Sequence, residues 1–151
     1  MQKVLLIIPA YNEQDNILNV YKKIKKEDST LDVIVINDGS KDNTGSICDK
    51  NKIPCVHLIH NLGIGGAVQT GYKYAKEHNY DIAIQFDGDG QHDVKYVPKL
   101  IKPILKKEAN MVIGSRFIDK TSSDFKSSAA RRIGIKVISF FIKLITGKKI
   151  Y

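Results

Sequence analysis

The chain has 151 residues, enough for one domain with a buried core. Its 42% hydrophobic and 26% charged residues are ordinary for a globular protein, and two cysteines exclude a disulfide framework. The net charge of +8 is concentrated: residues 126–151 carry seven basic side chains and no acid, whereas residues 1–125 carry 17 basic and 16 acidic ones. This asymmetry argues against a nucleic-acid partner and for one local anionic partner.

Residues 3–8 are a short apolar run closed by Pro9 and predict a buried strand. Ile17, Leu18, Tyr21 and Ile24 recur at helical spacing, which predicts a helix over 14–26. Residues 32–37, rich in Val and Ile, predict a second strand. Asp38-Gly39-Ser40 is turn chemistry, followed by a short helix over 44–50 and a third strand over 54–60. A helix with a glycine-rich entry is predicted over 65–78, and a fourth strand over 81–86. Residues 94–107 read as a helix kinked at Pro103, and 110–114 as a fifth strand.

Strands alternating with helices predict an α/β fold with a mostly parallel sheet flanked by helices. A polar loop over 119–128 leads to a basic amphipathic helix over 129–146. Ile133, Val137, Phe140, Phe141, Leu144 and Ile145 can share one face of it, flanked by Arg132, Lys136 and Lys143. It is too short and too charged to span a bilayer. Two roles stand open for it: peripheral contact with an anionic membrane surface, or packing against the rest of the fold. Residues 1–8 lack the h-region and cleavage site of a signal peptide. The expectation is a cytoplasmic, reducing location in which Cys48 and Cys55 are packing residues.

In a parallel α/β sheet, ligands bind beyond the carboxyl ends of the strands. The five predicted strands are followed there by Pro9-Ala10-Tyr11-Asn12-Glu13, Asn37-Asp38-Gly39-Ser40, the glycine-rich run His60 to Gly66, Asp87-Gly88-Asp89-Gly90-Gln91-His92, and Gly114-Ser115-Arg116. Asp87-Gly88-Asp89 is the sharpest element. Two carboxylates separated by one small residue can face a single hard cation, with Gln91 as a neutral oxygen ligand, and magnesium or manganese shares such ligands with substrate phosphates. The plainer reading is a solvated turn.

Asp38 can accept from a base N–H or a ribose hydroxyl, or merely order its turn. Tyr11 offers a ring for stacking and Glu13 a carboxylate. The glycines at 63, 65 and 66 lack the third glycine of a dinucleotide fingerprint, since position 68 is Val68. They allow either close backbone approach or tight helix–strand packing. Arg116 can face a pyrophosphate.

This ordered set of motifs resembles glycosyltransferase family 2, with its Rossmann-like GT-A fold. Within that family it is most similar to the dolichol- or polyprenyl-phosphate sugar transferases. The resemblance implies an inverting transfer from a UDP- or GDP-sugar, with Mg2+ or Mn2+ as cofactor. It implies that Pro9, Ala10, Tyr11, Glu13, Asp38, Gly65, Asp87, Gly88, Asp89 and Arg116 hold the nucleotide sugar. Asp87, Asp89 and Gln91 would hold the metal, and Asp89 would be the carboxylate on which catalysis depends.

The acceptor implied is a polyprenyl phosphate, with a glycan hydroxyl as the alternative. Residues 1–118 would be the nucleotide-sugar-binding domain and 129–151 the start of an acceptor-side region. In the resembled family further strands and helices follow this point, so the expectation is a fold cut short on its C-terminal side. A catalytically silent donor-binding domain is the reading from another class.

Overall fold

The computed structural model describes residues 2–88, 93–114, 139 and 144. The chain forms two compact units, Met1–Val112 and Ile113–Tyr151. In the second unit Ser139 and Leu144 are both helical, within the helix expected over 129–146. The rest of that helix and the loop over 119–128 lie outside the described residues. Among the described residues no helix is long and apolar enough to cross a membrane.

The first unit is built on β1 (Val4–Ala10), α1 (Ile17–Glu27), β2 (Asp32–Asn37), α2 (Thr44–Lys50), β3 (Cys55–His57), α3 (Gly63–Glu77), β4 (Ile82–Gln85) and α4 (Val97–Leu105). A 3₁₀ turn, Val94–Tyr96, leads into α4. The four strands are all parallel, in the order β3-β2-β1-β4.

β1 is the central strand, and the two-residue period of a strand sorts its side chains onto both faces. Leu6, Ile8 and Ala10 enter one cluster with Ile17, Val20 and Ile24 of α1, Cys48 of α2 and Val97 of α4. Leu5 and Ile7 enter the other, with Ile34 and Ile36 of β2 and Ala67 and Ala75 of α3. Helices therefore cover both faces, and a strand buried on both sides reads as a continuous apolar run. Each fully buried Leu or Ile contributes about 1.5–3 kcal/mol of apolar transfer, so β1 anchors the core.

The order also explains which helix lies where. The chain runs outward from β1 through β2 to β3, then crosses back over β1 to form β4. Right-handed crossovers place α1 and α2 on one face and, once the direction reverses, α3 on the other.

β2 and α2 have the bounds that the sequence predicts. β1 runs two residues further than predicted, through Pro9 to Ala10. Alternate residues of β1 bond to opposite neighbours: Ile7 accepts from Phe86 on the β4 side, and Ala10 accepts from Asp38 on the β2 side. Pro9 lies on the β4 side, beyond the pairing of Ile7 with Gln85 that ends β4. Its missing N–H therefore costs the ladder nothing.

β3 is shorter than predicted, because its one neighbour among the described residues, β2, ends at Asn37 opposite His57. α4 passes Pro103 and ends two residues later. The fifth strand predicted over 110–114 is not formed: residues 111–114 have no regular structure, and Met111 and Ile113 are 76% and 73% exposed. Apolar residues make a strand only where a neighbour takes up their backbone groups, and β4 has no second neighbour among the described residues.

Cys48 is buried and Cys55 packs against the same cluster, both as free thiols. The neighbouring Cys48 thiol, together with burial, pushes the Cys55 thiol far up.

At Gly71, α3 meets the sheet. A Cβ there would stand 2.2 Å from Cγ2 of the fully buried Ile7. Gly71→Ala gains about 1 kcal/mol in helix propensity. Overpacking costs about 1–3 kcal/mol, and the β-branched Ile7 has no free rotamer to retreat into. The expected result is a lower urea midpoint with an unchanged denaturant slope.

Candidate functional site

The switch point of this sheet lies between β1 and β4, where the strand order reverses. Ligands in open α/β sheets bind in the crevice at the carboxyl ends of such a strand pair. A cavity of about 420 Å3 sits there, lined by Pro9 and Ala10 at the end of β1, Tyr11 and Glu13 after it, and Asp87 and Gly88 after β4. Asp38 closes it from the β2 side, and Asn61, Gly63, Ile64 and Ala67 from the β3–α3 turn. A larger groove, about 740 Å3, lies at the opposite edge, by the start of β1 and along α4. Its lining combines an apolar wall of Val4, Leu31, Val97 and Ile101 with Glu27, Asp28, Lys95 and Lys102, but it lies away from the carboxyl ends of the strands where ligands of such sheets bind.

Asp38 is buried at 2% exposure and tied down by three hydrogen bonds. Its N–H donates to Ala10 O (2.9 Å), which ties it to the end of β1. Its Oδ1 accepts from the Leu62 N–H (2.8 Å), and its carbonyl accepts from Asn61 Nδ2 (3.1 Å). The second carboxylate oxygen has no hydrogen-bond partner among the described residues. Asp38 thus both orders its turn and lines the cavity. Gly39 makes the turn possible: its φ is +64°, and a Cβ would stand 2.8 Å from the Asn61 backbone nitrogen.

Tyr11 is 43% exposed at the cavity wall. Glu13 is half-buried, and its Oε2 accepts from Asn16 Nδ2 (2.8 Å) while its carbonyl accepts from Ile17 N–H (2.9 Å) at the entry to α1. Asp87 is half-buried, and its Oδ1 accepts from Gln85 Nε2 (3.3 Å). Gly88 is buried against the end of β1; a Cβ there would stand 3.3 Å from Pro9 O and 3.4 Å from Ile8 Cγ2. A side chain at 88 would crowd the cavity floor.

The structure brings Pro9, Ala10, Tyr11, Glu13, Asp38, Asp87 and Gly88 to one cavity. Gly65 is not in the lining; Gly63, with φ +74°, is. Gly66 serves packing, since a Cβ there would meet Leu62 Cβ at 2.4 Å. Asp89, Gln91 and Arg116 lie outside the described residues. Asn61 and Ile64 belong to the glycine-rich run and Ala67 follows it, whereas Gly65 alone of this stretch is expected at the nucleotide.

Among the described residues no three His, Cys, Asp or Glu side chains gather into a metal-binding group. Asp87 is the one expected metal ligand that is described. Its half-buried carboxylate at the cavity is a hard oxygen donor of the kind magnesium or manganese takes. Asp87 by itself suits such a cation as one of its donors.

A parallel sheet whose switch point gathers acceptors, an aromatic ring and a glycine-floored carboxylate defines an α/β domain built to hold a polar small molecule. The chain belongs to glycosyl transferase family 2, whose description matches residues 5–150. It is 35% identical over 162 residues to a UDP-N-acetylglucosamine–dolichyl-phosphate N-acetylglucosaminyltransferase of Methanococcus voltae, covering 95% of this chain and 63% of the relative. It is 34% identical to an undecaprenyl-phosphate mannosyltransferase of Micrococcus luteus, covering 76% of this chain and 48% of the relative.

The fold is of the GT-A type. Glucosyl-3-phosphoglycerate synthase of Mycobacterium tuberculosis, solved in complex with Mn2+, UDP and glucosyl-3-phosphoglycerate, superposes with a TM-score of 0.55 at 25% identity, over 69% of this chain and 40% of that one. The chain spans about half to two thirds of the length of the curated relatives it matches.

Proposed function

We propose that this chain binds the nucleotide of a UDP- or GDP-sugar in the switch-point cavity, and that the protein it represents transfers the sugar, with inversion, to a polyprenyl phosphate. The observation that carries the reading is the convergence of seven expected donor-site residues, from the ends of three strands and the turns after them, on one cavity. The relatives named for dolichyl- and undecaprenyl-phosphate transfer, and the neighbour bound to UDP and Mn2+, support it.

In this reading the open oxygen of Asp38 accepts from a base N–H, Tyr11 stacks on the base and Glu13 accepts from the ribose. Asp87, Asp89 and Gln91 hold magnesium or manganese, and Arg116 faces the diphosphate. A divalent cation there supplies Lewis acidity, stabilising the negative charge on the departing diphosphate. A polyprenyl phosphate is anionic at neutral pH, so it needs positioning and cationic contacts more than a general base. A sugar-hydroxyl acceptor would require a carboxylate base as well. The protein is proposed to work in the cytoplasm or on the cytoplasmic face of a membrane, with residues 129–146 as its peripheral contact.

Calorimetric titration of the 151-residue chain with UDP and GDP, with and without manganese, tests the donor site. Saturable binding strengthened by the metal is the expected result, and the preferred base identifies the donor. A folded chain that binds neither nucleotide would refute the reading.

A further inference from the structure

We propose that Thr44 and Asp42, at the entry to α2, are positioning residues that build the nucleoside half of the cavity before any metal or phosphate arrives. The inference rests on the donor-site reading above and deepens it. Neither residue lines the cavity. Both hold the loop that does.

Thr44 is fully buried, a rare place for a hydroxyl. Its Oγ1 accepts from the Glu13 N–H (2.8 Å) and donates its one proton to Asp42 Oδ1 (2.5 Å). Asp42 Oδ1 also accepts from the Thr44 N–H (2.9 Å), and Oδ2 accepts from the Gln14 N–H (3.1 Å). Burial pushes the Asp42 carboxyl up, but the Thr44 hydroxyl and these backbone N–H groups outweigh it and hold it below the usual carboxylate range. Asp42 is therefore an ionised acceptor at neutral pH, able to take all of these bonds at once.

The bonds to Glu13 and Gln14 reach across 28 to 31 residues of sequence and join the β1–α1 loop to the β2–α2 loop. They are not caps of α2, which starts without a side-chain cap at Asn43. Three more bonds continue the seam: Asn12 N–H to Ser40 Oγ (3.0 Å), Lys41 N–H to Asn12 Oδ1 (2.9 Å) and Asn43 N–H to Gln14 Oε1 (3.1 Å). One loop carries Tyr11 and Glu13; the other carries Asp38. Stitched together they form one rigid unit, and rigidity in the bound geometry removes the ordering cost of binding. None of these bonds involves the Asp87 side of the cavity, which meets the nucleoside half by packing, with Gly88 beside Pro9 and Glu13.

The test uses the full 151-residue chain titrated with UDP and GDP, with and without manganese. Thr44→Val keeps the shape of the side chain and strands the Glu13 N–H. It is expected to weaken nucleotide binding about tenfold. The loss should be equal with and without manganese, so the factor contributed by the metal is unchanged. Thr44→Ser retains the hydroxyl and restores binding to within about twofold of the parent. Gln14→Ala opens the seam at the surface and should lose about threefold at an unchanged melting temperature.

If Thr44→Val does not fold, Asp42→Asn decides: its NH2 replaces one oxygen that accepts from the Gln14 N–H or from Thr44, and a similar manganese-independent loss of binding is expected. A parent that binds while the folded variants bind equally well overturns the proposal, as does a loss confined to the manganese-dependent part. A parent that binds neither nucleotide overturns the donor-site reading and this proposal with it.

Discussion

Asp38→Asn is expected to weaken nucleotide binding on the order of 100-fold while the chain stays folded. The two oxygens of Asp38 do different things. Oδ1 holds the Leu62 N–H at 2.8 Å and so fixes the turn between β3 and α3. The other has no protein partner among the described residues, and Asp38 lines the cavity. An asparagine can keep one of these roles only. Oriented to hold Leu62, it turns an NH2 group towards the cavity, where a uracil or guanine presents its own N–H donor. Donor then meets donor at the place where a charge-assisted bond was made.

Such bonds contribute about 1.5–3 kcal/mol, and leaving the ligand's donor buried and unpaired adds to the loss. Asp38→Ala loses the turn as well, so it confounds binding with loop order; the asparagine variant separates them. Circular dichroism and the melting temperature report the fold, and calorimetry reports the affinity. Unchanged affinity in a folded Asp38→Asn chain would reduce Asp38 to an organiser of its turn.

What the sequence makes legible here is what local pattern controls. β2 and α2 have their predicted bounds because a β-branched run ending in Asn37-Asp38-Gly39, and a short helix opening at Thr44, are set by neighbouring residues. The site was legible for a related reason. In a parallel sheet the residues after each strand share an edge, so motifs far apart in the chain collect without knowledge of the contacts.

Strand order and pairing are not local. β3 stops where β2 stops, and the apolar residues at 110–114 find no neighbour to pair with. Pro9 looks like a strand terminator until its place beside the end of β4 is known. Thr44 and Asp42 look like ordinary helix-entry residues, since nothing near them in sequence reveals that they receive the N–H groups of Glu13 and Gln14. The same holds for Gly71, whose need to be glycine lies in Ile7 on another element.

Asp89→Ala is expected to abolish the manganese-dependent part of nucleotide binding and leave the metal-independent part in place. Cation and diphosphate are ligands of one another as well as of the protein, so each must raise the other's affinity by the same factor, typically about 5–150-fold. In the parent chain that factor is measurable twice, as the effect of manganese on UDP or GDP and as the effect of the nucleotide on manganese. In Asp89→Ala both should fall to about one, together.

Without metal the sign reverses. A carboxylate beside a diphosphate repels it, so its removal should leave metal-free binding equal to the parent or slightly tighter. A variant whose loop had simply collapsed onto the cavity would instead lose affinity in both conditions. Asp87→Ala should repeat the loss of coupling, because Asp87 stands at the cavity with its carboxylate half-buried. An Asp89→Ala chain that keeps the full manganese effect would place the metal on other residues. The Asp87 side of the cavity would then bind nucleotide through Gly88 and its neighbouring backbone alone.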